Sequence, residues 1–309
     1  MTNRLNVRTT LTALLVLASS AGTCLAQNDP SKKDTPPAAP AAPAAPAAPA
    51  APAQPASGEK LPSAAEIFAR YIEVTGGKAA YEKLKSRVST GTFEMAGMGK
   101  AAFTLTQEAP NKMAMTIDLP GMGKMVQGNN GSHAWEYSAM TGPRLLEGDE
   151  LLESNGQSLF NAELYPEKVY TKTEVIGIEK VGESDAYKVA MTTKGGSTRT
   201  AFYDKASGLL VKMTMVQKSQ MGEVSIDSIT SDYREVDGVK LPFKTTIKIN
   251  VGPGMEQVMT IEKLTHNTEV AADAFKAPAE VQELIDAKKK DEEKKDAPAE
   301  APKTEAPKK

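Results

Sequence analysis

Cysteine is almost missing. The 309-residue chain has one, Cys24, beside two histidines and one tryptophan. One thiol cannot close an intramolecular disulfide or build a cysteine-based zinc site. His133 and His266 lie far apart in sequence with no second nitrogen or sulfur ligand nearby. They read as solvent-facing or turn-edge residues, which gives a metal site little support. An excess of positive charge is missing too, because 37 Lys and Arg face 39 Asp and Glu. That balance argues against an electrostatic nucleic-acid binder. No apolar run approaches the roughly 20 residues of a membrane-spanning helix. Gly-x-Ser-x-Gly is absent, and Ser132-His133, adjacent in a strand, point to opposite faces. No glycine-rich loop joins a strand to a helix to cradle a phosphate. Acids cluster at Glu147, Asp149, Glu150 and Glu153, where they suit the start of a helix better than an acid/base pair. A hydrolase is the least supported reading.

What is present divides into four pieces. Residues 1–26 read as a secretory signal peptide, with Arg4 and Arg8 before an apolar core at Leu11–Ala21 and small residues before a cut after Ala26. The rival reading is a membrane-anchored lipoprotein acylated at Cys24, although Thr23 stands where a smaller residue is usual. Residues 27–60 hold nine of the twenty prolines, mostly as an Ala-Ala-Pro repeat. Such a stretch buries little and favours an extended, disordered spacer. Residues 281–309 balance eight Lys against eight acids and read as a charged, disordered tail beyond a short helical start at 281–290. The 220 residues between, 61–280, carry a net charge of −4 and are enough for one sizeable core.

Within 61–280 the spacing predicts a helix from Pro62-Ser63 to about Thr75, stopped by Gly76-Gly77, and a short second helix to about Lys85. After Arg87 the apolar period changes from 3.6 to 2. About twelve short strands follow, separated by Gly, Asn and Pro turns. One interruption, Gly148 to about Phe160, reads as helix, with Leu151, Leu152 and Phe160 as an apolar lid face. The fold class is therefore mainly β: one large curved antiparallel sheet with two N-terminal helices and a helical insertion near the middle, its open face either plugged by helices or curled around a ligand.

Methionine is the unusual residue. Thirteen of fourteen lie between positions 95 and 259, while aromatics make up 5% of the chain. Met113/Met115 and Met213/Met215 each share a face at period 2. Methionine is flexible and polarisable, so the pattern reads either as an ordinary core that happens to use methionine or as a concave face suited to acyl chains of varied shape. The candidate lining is Phe103, Leu105, Met113, Met115, Ile117, Met213 and Met215.

Several stretches carry a resemblance. These are Tyr71-x4-Gly76-Gly77, Lys85-Ser86 before a strand with Gly91, Gly128-x2-Gly131-x3-Trp135, and Gly148-x2-Leu151. The last is Asp232-Tyr233-Arg234-x2-Asp237-Gly238-Val239-x-Leu241-Pro242, closed by Phe275-x2-Pro278. With them, residues 63–278 resemble the LolA/LolB-like superfamily of periplasmic lipoprotein-carrier domains, and more closely its outer membrane lipoprotein-sorting relatives. The resemblance implies a strongly curved half-barrel lidded by helices, a periplasmic location, no cofactor and no enzymatic activity. Its ligands would be lipoprotein acyl chains, lipids or similar amphiphiles. Some members sense envelope stress, so an envelope sensor or scaffold that binds a protein partner is the alternative. No functional residue of that family is transferred to a position here.

Overall fold

The computed structural model describes residues 60–95, 99–219, 222–250 and 254–296. The signal segment with Cys24, the spacer through residue 59, the turns at Gly97-Met98 and Gly252-Pro253, and the tail past residue 296 lie outside the described residues.

Helix α1 (Ala64–Val74) begins at a reciprocal cap. The Glu66 amide donates to Ser63 Oγ, and the Ser63 amide donates to Glu66 Oε2 at 2.7 Å. Its buried positions, Ala64, Ile67 and Tyr71, fall at helical spacing on one face. The helix stops at Gly76-Gly77, whose φ angles are positive. A Cβ on Gly76 would stand 2.1 Å from the Gly238 carbonyl oxygen. The Gly76-Gly77 and Asp237-Gly238 turns therefore touch, and only a missing side chain permits it. Helix α2 (Lys78–Glu82) follows.

The chain then enters its sheet in the middle. Strands β1 (Ser86–Met95), β2 (Gly99–Glu108), β3 (Lys112–Leu119), β4 (Gly123–Asn129), β5 (Ala134–Ser138) and β6 (Gly142–Leu146) run outward to one edge. Helix α3 (Gly148–Ser158), a 3₁₀ turn (Ala162–Leu164) and α4 (Pro166–Val169) carry it to the far edge. Strands β7 (Tyr170–Val181), β8 (Ser184–Thr193), β9 (Thr198–Asp204), β10 (Leu210–Ser219), β11 (Gly222–Val236), β12 (Val239–Asn250) and β13 (Met255–His266) return until β13 pairs with β1. All thirteen strands are antiparallel and the sheet stays open. The strand missing from the sequence reading is β6, five residues long and containing Pro143. Proline is tolerated there because β6 is an edge. The other edge, β7, is protected by two register shifts and by exposed Lys172, Glu174 and Lys180.

Register sorts the side chains. Directly paired residues share a face, so Gly91, Phe103, Ile117 and Met125 form one row and Ser89, Leu105, Met115 and Gln127 the next. On the second arm, Ile249, Ile226, Met215, Arg199 and Met191 form a row on that same face. The arms join through Met95, Gln257 and Ile247. The opposite face carries Thr104, Thr116, Lys124, Thr200, Thr214 and Asp227.

Helices cover parts of the apolar face. Helix α1 packs on Val189, Met191, Ala201 and Tyr203, with Tyr71 and Tyr203 edge to face at 5.6 Å. Tyr81, Leu84 and Phe160 pack on Val239, Leu241, Phe243 and Leu264. On the other face Trp135 lies under α5 (Ala279–Asp296), against Ala277, Val281 and Ile285. The packed chain thus continues past residue 280, because Val281 and Ile285 supply apolar side chains one helical turn apart. Gly128 pairs with Trp135, and a Cβ there would meet the indole at 2.3 Å. This contact explains the Gly128…Trp135 spacing.

Trp135 is the chain's only tryptophan, so its emission reports on α5. Ile285→Ala should cost about 2–4 kcal/mol in denaturant unfolding and shift native emission to the red. Unshifted emission with unchanged stability would contradict this packing.

Candidate functional site

The apolar face is concave, and α3 shows why. Asn129 on β4 donates from Nδ2 to Ser154 Oγ at 3.2 Å and to Asn155 Oδ1 at 2.9 Å. The preceding residue, Glu153, accepts from Arg199 Nη2 at 2.7 Å, from the Ser197 amide and from Thr193 Oγ1. Asn129 and Arg199 both lie on the apolar face, on strands separated by seven others. In a flat sheet β4 and β9 would stand roughly 38 Å apart. Helix α3 has 11 residues and is about 16 Å long, yet adjacent residues on it reach both strands. The sheet must therefore curl, apolar side inward, until its arms meet across α3.

This clasp is polar. Asn129, Glu153, Ser154 and Ser158 are buried, whereas Leu151 is half-buried and Leu152 is 43% exposed. The inward side of α3 is its Glu-Ser-Asn run and not its leucines, which differs from the lid face read in the sequence. The acids expected only to favour the helix dipole are the ties. Arg144 on β6 reaches Glu150 and Glu136, each at 2.7 Å, and Glu153 holds Arg199. The β8–β9 turn comes close enough because Gly195 has no Cβ, which would lie 2.7 Å from Glu153 Oε1. An acidic residue amid small polar ones at 153–155, with Gly195-Gly196 downstream, was the available sequence signal.

Phe160 is buried as the last hold of this segment, its amide donating to the Pro110 carbonyl at 2.9 Å. The Arg87 guanidinium stands 5.5 Å from its ring centre and donates to Asn161 Oδ1 at 3.3 Å. Arg87 Nε also donates to His266 Nε2 at 3.2 Å. That contact assigns the His266 proton to Nδ1, which donates to Asp237 Oδ2 at 3.0 Å. The His266 side chain is fully buried and not solvent-facing, whereas His133 is half-buried. Burial, and then the Arg87 charge, hold the His266 pKa below its ordinary value. Burial likewise raises the Tyr81 phenol to about 12. No group of three His, Cys, Asp or Glu able to hold a metal occurs among the described residues.

The seven candidate lining residues all lie on the concave face. Phe103, Met113 and Ile117 are buried, while Leu105, Met115, Met213 and Met215 are half-buried. Leu105 pairs directly with Met115, and Phe103 with Ile117. Met213 and Met215 belong to the opposite arm, and Met213 packs towards α1. The face also holds Met125, Ile226, Ile247, Ile249, Met255 and Met259. Their period-2 alternation is visible in the sequence. Two clefts flank α1. One, of about 510 Å³, is lined by Phe68, Ile72, Leu164, Tyr170 and Glu163. The other, of about 780 Å³, lies at the helix start beside Val175 and Tyr187.

No protein-family model matches the chain, and no curated protein matches it. Solved structures do. A DUF1329 family protein from Desulfovibrio piger is 15% identical over 70% of this chain and 98% of that chain, at TM-score 0.48. A LolA superfamily protein from Nitrosomonas europaea is 12% identical over 70% and 99%, at 0.47. A candidate outer membrane lipoprotein-sorting protein domain from Vibrio parahaemolyticus is 11% identical over 68% and 95%, at 0.46. No helix among the described residues is long and apolar enough to cross a membrane.

Two outcomes follow from the clasp. Glu153→Ala leaves Arg199 buried without its acid and should destabilise the fold by about 3–5 kcal/mol in urea unfolding. A loss under about 1 kcal/mol would mean that the pair is not holding the arms. His266 binds its proton less readily folded than unfolded. Stability should therefore be full above the ordinary histidine range and fall as pH drops below about 6.5. Unfolding curves at stepped pH should show this fall, and it should flatten in His266→Gln. The same slope in both proteins would rule out the imidazole as its source.

Proposed function

We propose that the concave face binds the hydrocarbon part of an amphiphile, such as lipoprotein acyl chains or a lipid, and gives it up chemically unchanged. Export to the periplasm through residues 1–26 belongs to the same proposal. The observation that carries it is the pairing of an adaptable apolar face with a polar clasp. Leu105, Met115, Met213 and Met215 keep part of their surface accessible on the inside of the curl. Methionine side chains re-pack around chains of different shape. The clasp above them is closed by Glu153, Arg199, Asn129 and Ser154. When α3 lifts, those groups exchange protein partners for water, and little lid hydrocarbon is uncovered. A lid closed by leucines would resist opening through the hydrophobic effect.

The test is native mass spectrometry of the chain purified without detergent, followed by solvent extraction of what it carries. Acyl-chain species should accompany the protein, and Met115→Glu should abolish their uptake while leaving far-UV circular dichroism and the unfolding midpoint near wild type. A clean apo mass with no uptake of added lysophospholipid or lipopeptide would refute the reading.

A further inference from the structure

Gln257 is a buried polar residue on the concave face. It lies on β13, is 4% exposed, and its Oε1 is buried with no hydrogen-bond partner among the described residues. Register puts Met95 and Ile247 directly beside it, and Met255 and Met259 two residues away along its own strand. None of those four side chains can donate a hydrogen bond. A primary amide in such surroundings destabilises the empty fold, whereas methionine or leucine would fit the same place at no polar cost. A buried water needs several polar partners to be held, and these four neighbours provide none.

We infer that the amphiphile occupying this face carries a neutral hydrogen-bond donor close to its hydrocarbon, and that Gln257 Oε1 accepts from it. The donor is a hydroxyl on the acyl chain or the N–H of a secondary amide. Gln257 is then a specificity-determining residue. It selects such chains over plain acyl esters, which offer acceptors only and leave Oε1 unpaired. This inference rests on reading the concave face as an amphiphile site, and it adds the chemical class of the ligand.

Three probes of equal chain length separate the possibilities: methyl myristate, methyl 3-hydroxymyristate and N-methylmyristamide. Each is titrated against the full chain carrying the fluorescent dye 1-N-phenylnaphthylamine, and displacement is read. At least one donor-bearing probe should bind about 10-fold more tightly than methyl myristate, as one satisfied neutral hydrogen bond allows. Which probe gains identifies the hydroxyl or the amide as the source. In Gln257→Met, close to the glutamine in volume, the ratio should fall to about one. Equal displacement by all three probes in the wild type would overturn the inference and leave the amphiphile reading standing. Displacement by none would overturn both. The wild-type comparison decides the matter even if the variant fails to fold.

Discussion

A buried ion pair holds this architecture in its working shape. Glu153 on α3 and Arg199 on β9 meet at 2.7 Å with almost no solvent around either side chain. One residue further along α3, Ser154 accepts from Asn129 on β4. These contacts fix the distance between two arms that would otherwise be free to splay, since the sheet has no strand-to-strand closure between β6 and β7. Removing two charges from water is costly, and their mutual attraction offsets that cost only when geometry is good and other groups help. Thr193 and the Ser197 amide provide that help on the glutamate side. This junction holds the curl closed across its open side.

The distribution of polarity around the curl departs from an ordinary two-layer fold at one element, α3. Apolar side chains line the inside of the sheet, with α1 and α2 covering only parts of it. The element that spans the gap presents carboxylate, hydroxyl and amide groups inward. Tight packing at α1, where Tyr71 and Phe68 meet Tyr203, makes one end of the face stiff. The polar junction makes the other end the place where opening needs the least hydrophobic exposure. The Arg87–Asn161–Phe160 contacts anchor the far end of the connecting segment to β1. Helix α3 is thereby a strap fixed at its C-terminal side, and motion would concentrate between residues 148 and 158.

Much of this was legible in the sequence because local rules and the global fold agree. Period-2 alternation with Gly and Asn turns gave the meander, and Met113/Met115 and Met213/Met215 at that period lie on one face. The Gly76-Gly77 and Asp237-Gly238 pairs were visible as turns. That one glycine admits the other's carbonyl is a tertiary fact no local window contains. Three features were hidden for related reasons. Strand β6 is short and holds Pro143, so neither length nor propensity marked it. The Val281 and Ile285 contacts sit inside a Lys- and Glu-rich stretch whose average composition reads as solvated. The inward face of α3 is hidden because apolar residues ordinarily point inward, whereas Leu152 faces solvent and Glu153 finds its partner forty-six residues away.

If the concave face holds an amphiphile as proposed, α3 must release one arm before that ligand can exchange. Asn129 Nδ2 and Ser154 Oγ are buried 3.2 Å apart, so cysteines at these two positions would stand near each other across the junction of β4 and α3. The most direct measurement is the exchange rate of a fluorescent acyl probe in the Asn129→Cys/Ser154→Cys protein, oxidised and reduced, with Cys24→Ser as background. The account predicts that exchange nearly stops when the pair is oxidised and returns when it is reduced. Equal rates in the two states would show that the clasp is not the gate.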